Sequence, residues 1–353
     1  MFDLILVGYG NVAKRFVELL GERAELLRRD FGLSIAIVGV VTRRHGPRYL
    51  GEEFGRTRAP SALSFIREAC RRDAAAARAG RLVVVETTTL DIARGQPAIS
   101  HVRAALAGGA HVITANKGPA AFAYRALSQA AERAGRRFLF EGAVMDGVPV
   151  FNLVRETLPL AAIAGFRGIV NSTTNYILTA MEQGQAFDAA LADMQARGIA
   201  EADPTLDLDG WDAAAKTAAL ANVWLDARIT PHDVEREGIS PAAATRARQA
   251  RAAGQRLKLV ASAVRQPRGV AARVSLESLP ADDFLAGVEA QQNALLLRTD
   301  LLDEIAVVQR GGSLTHTAYA LLSDLITIAR ATPRPPPSTR RRRSPSRRDR
   351  RSR

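Results

Sequence analysis

Apolar and polar positions follow two different rhythms along the chain. Up to about residue 145, short apolar runs alternate with stretches whose apolar residues recur at helical spacing, as in a parallel sheet with crossover helices. The runs predict strands at residues 4–7, 35–41, 82–86, 111–114 and 138–140, and helices at 11–29, 101–107 and 120–134. Beyond Gly147 the pattern predicts a helix at 150–156, a strand ending at Val170, and helices near 174–181, 187–197 and 211–225. Strand-like runs follow at 257–264, 270–277, 294–297 and 305–308, and an amphipathic helix at 315–330 closes the pattern. This second part reads as an α/β unit with a largely antiparallel sheet, and the last helix as one that returns to the first part. The resulting division is 1–146, 147–314 and a tail at 331–353.

Charge separates the tail from the rest. The chain has 353 residues and a net charge of +13. Residues 331–353 hold ten Arg and one Asp, so the remaining 330 carry only +4. The tail is spaced by proline and poor in apolar residues, so it is expected to be disordered. Without interleaved aromatics to stack bases, it reads as a dispensable extension rather than a nucleic-acid arm. No run reaches the ~20 apolar residues of a membrane span. The start, MFDLILVGYG, does not resemble a secretory leader, and a single cysteine, Cys70, fits a reducing cytoplasm.

Chemistry gathers at the strand ends. Gly8-Tyr9-Gly10-Asn11-Val12-Ala13 lies between the first strand and the first helix. Gly8 allows the tight turn, Gly10 lets backbone amides approach a pyrophosphate, and Ala13 lets the helix sit close to the sheet. This is the fingerprint of a Rossmann-like, dinucleotide-binding half. The second strand ends in Thr42-Arg43-Arg44 rather than in a carboxylate. Two guanidiniums suit a 2′-phosphate, which favours NADP and leaves NAD possible. The next two strands end in Glu86-Thr87-Thr88-Thr89 and Thr114-Ala115-Asn116-Lys117-Gly118. Strand carboxyl ends face the ligand crevice, so Thr87, Thr88, Asn116 and Lys117 are candidate cofactor contacts.

Lysine is scarce: of 49 basic residues only Lys14, Lys117, Lys216 and Lys258 are not Arg. Arg cannot lose its proton at working pH, whereas a buried Lys can. Lys216 follows Asp212 by four residues, so the two share a helix face, with small apolar residues around the amine. Such an amine is a candidate proton shuttle, oriented by Asp212.

Six segments then carry a resemblance to the homoserine dehydrogenases of the short type, which lack a C-terminal regulatory domain. They are GYGNVA, TANKGP, EGAVMDGVPVFN (141–152), GIVNSTTNYIL (168–178), EADPTLDLDGWDAAAK (201–216) and LLSDLITIA (321–329). The resemblance implies NAD(P)-dependent interconversion of L-aspartate 4-semialdehyde and L-homoserine, in threonine, methionine and isoleucine synthesis. It implies Lys216 as the acid/base and Lys117 as its assistant. Glu201, Asp207 and Asp212 become substrate-site acids, and Thr173 falls on the loop lining the pocket. It further implies a homodimer built through the second part, and a sodium ion held by main-chain oxygens of Glu141, Val144, Asp146 and Val148.

One departure stands out. Where the family carries a glycine-rich loop before the last helix, this chain reads Gln309-Arg310-Gly311-Gly312-Ser313. Two other readings remain open at this point. An aldehyde-oxidising enzyme would need Cys70 as nucleophile, and a catalytically impaired nucleotide-binding protein would use the basic tail on nucleic acid. The five histidines (His45, His101, His111, His232 and His316) show no metal-ligand spacing and read mostly as surface or loop residues. Trp211 and Trp224 read as packing anchors, and Lys14 and Lys258 as residues of solvated faces.

Overall fold

The computed structural model describes residues 1–50, 61–197 and 203–332. Two six-stranded sheets organise it. The first comprises β1 (Phe2–Val7), β2 (Ile35–Thr42), β3 (Gly46–Tyr49), β4 (Leu82–Glu86), β5 (His111–Thr114) and β6 (Phe138–Leu139). Their order is β3-β2-β1-β4-β5-β6, parallel throughout except for the β2–β3 hairpin. All five residues of β4 are buried, as a strand covered on both faces requires. Helices α1 (Asn11–Glu22) and α2 (Ala24–Phe31) follow β1, and α3 (Ala62–Arg72) and α4 (Ala74–Arg78) precede β4. Next, α5 (Ala98–Ala107) joins β4 to β5, and α6 (Gly118–Ala134) joins β5 to β6.

The remaining elements are α7 (Val150–Asn152), β7 (Ile163–Ile169), α8 (Ser172–Glu182), α9 (Phe187–Ala196), α10 (Thr205–Leu208) and α11 (Trp211–Leu225). Then come β8 (Glu235–Arg236), α12 (Ala243–Ala252), β9 (Gln255–Gln266), β10 (Gly269–Pro280), β11 (Asn293–Thr299), β12 (Glu304–Gln309) and α13 (Leu314–Ala331). The second sheet has the order β12-β11-β7-β9-β10-β8 and is antiparallel except where β8 meets β10. The expected α/β architecture is therefore present in both parts.

Helix α13 does return to the first sheet. Its buried Leu321, Leu322, Leu325 and Ile328 join a cluster with Leu4 and Leu6 of β1, Val83 and Val85 of β4, and Phe16 of α1. Asp324, on the same helix, is buried and accepts the Glu141 N–H at 2.9 Å. Burial, reinforced by the neighbouring Glu141, pushes the Asp324 carboxyl up to about 8.

Several expectations need correction. The single helix at 11–29 is two helices, because Arg23 leaves helical geometry (φ −106°, ψ 5°) just after Gly21 weakens the run. The helix at 150–156 winds as α over Val150–Asn152 and as π over Leu153–Thr157. Lys258 is not on a solvated face. It is fully buried, and its Nζ donates to the Val288 carbonyl at 2.7 Å and to Asn175 Oδ1 at 3.3 Å. Burial pushes its pKa down to about 8. Three of the five histidines, His45, His232 and His316, are exposed, in line with the reading of most of them, while His101 and His111 are buried. His111 Nδ1 accepts the Arg137 N–H at 2.9 Å, and burial together with nearby Arg136 lowers the ring to about 4. Trp224 does anchor packing, edge-on to Phe166 with centroids 5.7 Å apart. Residues 333–353 of the tail, and the expectation of disorder placed on them, lie outside the described residues. Among the described residues no helix is long and apolar enough to cross a membrane.

Candidate active site

The first strand turn is built as its sequence requires. Gly8 has φ +93°, and a Cβ there would meet the Thr87 backbone at 2.9 Å. Gly10 starts α1 with open space where a Cβ would be, and Ala13 is fully buried. The amides at this helix end have no side-chain cap, and the first turn holds no acidic residue. Asn11 and Val12 open the helix, so backbone N–H groups face outward where an anion is favoured. Gly8→Ala is expected to cost about 1–3 kcal/mol through left-handed strain and collision, and to weaken cofactor binding. Thermal unfolding and nucleotide titration check both effects.

Beyond β2, Thr42 Oγ1 accepts the His45 N–H at 3.0 Å, closing a turn on which Arg43 and Arg44 are exposed. The next strand ends are tied together from below by Glu86, which is fully buried. Its carboxylate accepts the Thr88 N–H at 3.1 Å, the Thr88 hydroxyl, and the Thr114 hydroxyl at 2.9 Å. Thr87 donates its N–H to the Val7 carbonyl at 2.8 Å. Asn116 donates to the Thr88 carbonyl at 2.9 Å and accepts the Gly118 N–H at 2.8 Å. This locks the tight turn between β5 and α6, at which Lys117 precedes the helix.

Lys117 and Lys216 meet. Lys117 Nζ lies 2.9 Å from Asp212 Oδ1, and Lys216 Nζ lies 2.9 Å from Asp212 Oδ2. One carboxylate thus holds two amines brought from different parts of the chain. Gly210, at φ +76°, allows the turn that starts α11 and aims Asp212; a Cβ there would sit 2.7 Å from the Glu237 carbonyl oxygen. Lys216 also donates to the Val170 carbonyl at 2.6 Å, just past the end of β7. Burial works against charge on Asp212, but Lys117 and then Lys216 hold its carboxyl far below the usual range. Burial also works against the Lys117 ammonium, yet Asp212, with Asp207 and Asp146 behind it, raises its pKa above the ordinary value.

Asp207 is the second carboxylate here. Its pKa is raised, first by burial and then by repulsion from Asp212. Thr173 is buried in the first turn of α8. Glu201 lies outside the described residues. Sequence reasoning missed Asn171, whose Nδ2 donates to Asp207 Oδ1 at 2.8 Å and to Asp212 Oδ2 at 2.9 Å. Its only local signal is its place before Ser172-Thr173-Thr174, a helix-capping position.

Glu141, Val144, Asp146 and Val148 fall on the irregular stretch between β6 and α7, where Asp146 reverses the chain at φ +48°. Such a reversal can turn main-chain oxygens inward, although the Val148 oxygen already accepts the Val150 N–H at 2.8 Å. The Asp146 carboxylate instead accepts Gln309 Nε2 at 2.9 Å and the Thr317 hydroxyl at 3.3 Å. Gln309 in turn accepts Asn293 Nδ2 at 3.0 Å, so the altered 309–313 loop is pinned at its first residue. A groove of 1110 Å³ begins at this loop and runs between α2 and α13, and neither of the two lysines lines it.

Cys70 is buried in α3, and burial pushes its thiol up to about 11. Burial and a raised pKa are the setting of a structural thiol and disfavour Cys70 as the nucleophile of an aldehyde oxidation. Among the described residues no group of three or more His, Cys, Asp or Glu is arranged to hold a metal.

Two family models match the chain. One, described as homoserine dehydrogenase, covers residues 149–326, and the other, described as homoserine dehydrogenase, NAD binding domain, covers residues 8–141. An NAD(+)-dependent homoserine dehydrogenase of Pseudomonas canavaninivorans is 36% identical over 342 residues, spanning 93% of this chain and 96% of the relative. A homoserine dehydrogenase of Sulfurisphaera tokodaii is 35% identical, spanning 93% of this chain and 98% of the relative. The crystal structure of a homoserine dehydrogenase from Thiobacillus denitrificans superimposes with a TM-score of 0.78 at 29% identity, over 93% of this chain and 73% of that one. With the nucleotide fold, the paired lysines and these matches in agreement, the chain belongs to the homoserine dehydrogenase family.

Proposed function

We propose that the chain interconverts L-homoserine and L-aspartate 4-semialdehyde with a nicotinamide cofactor. The observation that carries this reading is the sharing of Asp212 by Lys117 and Lys216, each at 2.9 Å. The bound cofactor supplies the hydride acceptor in one direction and the hydride donor in the other. Lys216, as neutral amine, takes the homoserine hydroxyl proton in oxidation; as ammonium it returns that proton to the aldehyde oxygen in reduction. Lys117 donates a hydrogen bond to the same oxygen and offsets its developing charge. Asp212 fixes both amines, and Asp207, with Glu201 by resemblance, receives the substrate α-ammonium. Thr173 lines the pocket beside them.

For the cofactor, the outward amides of Gly10, Asn11, Val12 and Ala13 would meet the pyrophosphate, with Gly8 making the turn. Thr87, Thr88, Asn116 and Lys117 would line its nicotinamide end. Arg43 and Arg44 favour NADP, with NAD also used. Replacing both by Ala is expected to raise KM for NADP about tenfold or more with little change for NAD. Parallel L-homoserine oxidation assays with each cofactor at alkaline pH read this, and the same assay tests the proposed reaction. Absence of oxidation with both cofactors overturns the function.

Sodium held by main-chain oxygens of Glu141, Val144, Asp146 and Val148 would brace the segment carrying Asp146; no step above depends on it. A homodimer through the second part and a cytoplasmic location belong to the same reading. The alternative of an impaired nucleotide-binding protein loses ground because it gives no reason for two scarce lysines to converge on one acid.

A further inference from the structure

The exit of β7 contacts every charged group of α10 and α11 that the mechanism uses. Lys216 is held by the carbonyl of Val170, and Asp207 and Asp212 are both held by the side chain of Asn171. Asn171 is buried, and its side chain makes four hydrogen bonds among the described residues. Its Oδ1 accepts the Thr174 N–H at 2.9 Å and the Thr174 hydroxyl at 3.1 Å, capping α8. The backbone N–H can only donate, so Oδ1 must face α8 and the two protons of Nδ2 must face the two carboxylates. No other uncharged side chain combines a cap acceptor with two donors on one planar group, apart from the longer Gln.

We propose that Asn171 is a positioning residue: by donating one N–H to each carboxylate it holds Asp207 beside Asp212, leaving Asp207 to receive the substrate ammonium while Asp212 serves the lysines. The proposal rests on the dehydrogenase reading above. Asp212 receives Lys117, Lys216 and Asn171, whereas among the described residues the side-chain donor to Asp207 is Asn171. Among the described residues, the charged groups facing Asp207 are Asp212 and Lys216 of α11 and Lys117 before α6. Burial and Asp212 already push the Asp207 carboxyl toward the protonated form, and Asn171 opposes them. Without that donor, Asp207 takes up a proton at higher pH. A neutral carboxyl no longer attracts an ammonium, so substrate binding weakens, most on the acid side.

Three variants separate this role from helix capping. Asn171→Ala removes both functions. Asn171→Ser and Asn171→Asp retain a cap acceptor for α8. Serine has only one proton to donate, and ionised aspartate has none. All three are expected to raise KM for L-homoserine roughly tenfold or more, with Asp the largest, while kcat changes less. The acid limb of kcat/KM should move to higher pH, and KM for the cofactor should stay near that of the unaltered chain. If Ser and Asp restore the KM and acid limb of the unaltered chain, Asn171 is only a helix cap and the proposal falls. Failure of the unaltered chain to oxidise L-homoserine would instead overturn the activity on which the proposal rests, a result distinct from the variants' behaviour.

Discussion

Replacing Lys216 by alanine is expected to lower kcat for L-homoserine oxidation roughly 10²–10⁴-fold, the usual contribution of a placed acid/base group. The reason lies in the position of its amine. Lys216 donates to the Val170 carbonyl at 2.6 Å and to Asp212 at 2.9 Å, which leaves a third N–H without a partner among the described residues. That position is the one open to a substrate oxygen: it holds an N–H in the ammonium and, in the neutral amine, the lone pair that takes the hydroxyl proton. Alanine is the best helix former, and Asp212 keeps Lys117, so the fold should survive with a modest change in melting temperature. Lys216→Arg should not rescue turnover, because a guanidinium keeps its proton at any working pH. Steady-state kinetics beside thermal unfolding separate chemistry from folding. Retention of most of the activity by Lys216→Ala would remove the amine from the mechanism.

Asp212→Asn is the second large effect. Its shape is preserved but its charge is lost, so two ammonium groups that shared one carboxylate now face each other. Removing one member of a buried ion pair costs about 3–5 kcal/mol; the low end applies here because 21% and 15% of the Lys117 and Lys216 side chains remain exposed. Misplacement of either amine by an ångström should cost about 10²-fold in kcat. The pH dependence gives a sharper check. Lys117 owes its raised pKa to Asp212, so the group stabilises the fold fully below its unfolded value near 10.4 and loses that contribution as pH rises through its folded value. The depressed Asp212 carboxyl behaves oppositely. Its contribution is present above about pH 4 and disappears only as acid drives the pH down toward its folded value. The stability gap between the unaltered chain and Asp212→Asn should therefore be widest near neutrality and narrow on both flanks. A gap independent of pH would show that Asp212 acts through shape rather than charge.

Periodicity made most of the first sheet legible, since its central strands β1, β4 and β5 are buried almost throughout and read as continuous apolar runs. It failed at β3, whose residues Gly46-Pro47-Arg48-Tyr49 carry no alternation and are ordered by the hairpin to β2. The scarcity of lysine drew attention to positions 117 and 216, and strand-end position pointed Lys117 at the crevice. Their meeting on Asp212 was not legible in local pattern, because it joins the exit of β5 to the interior of α11. Asn171 shows the limit most clearly. Its capping role is local, but Asp207 and Asp212 stand 36 and 41 residues away. Lys258 was misread for the same reason: the groups that satisfy its ammonium come from 83 and 30 residues away, and charge alone argued for solvent.

The return of α13 has a consequence for synthesis on the ribosome. Leu4, Leu6, Val83, Val85 and Ile113 share an apolar face that α1 covers only in part, and the rest waits for Leu321, Leu325 and Ile328. At about 5–20 residues per second, the interval between the emergence of Ile113 and that of α13 is roughly 10–40 s. During that time the nascent chain carries an incomplete nucleotide half with an oily strip on its outside. The second sheet must then grow and fold between two segments of the same unfinished layer.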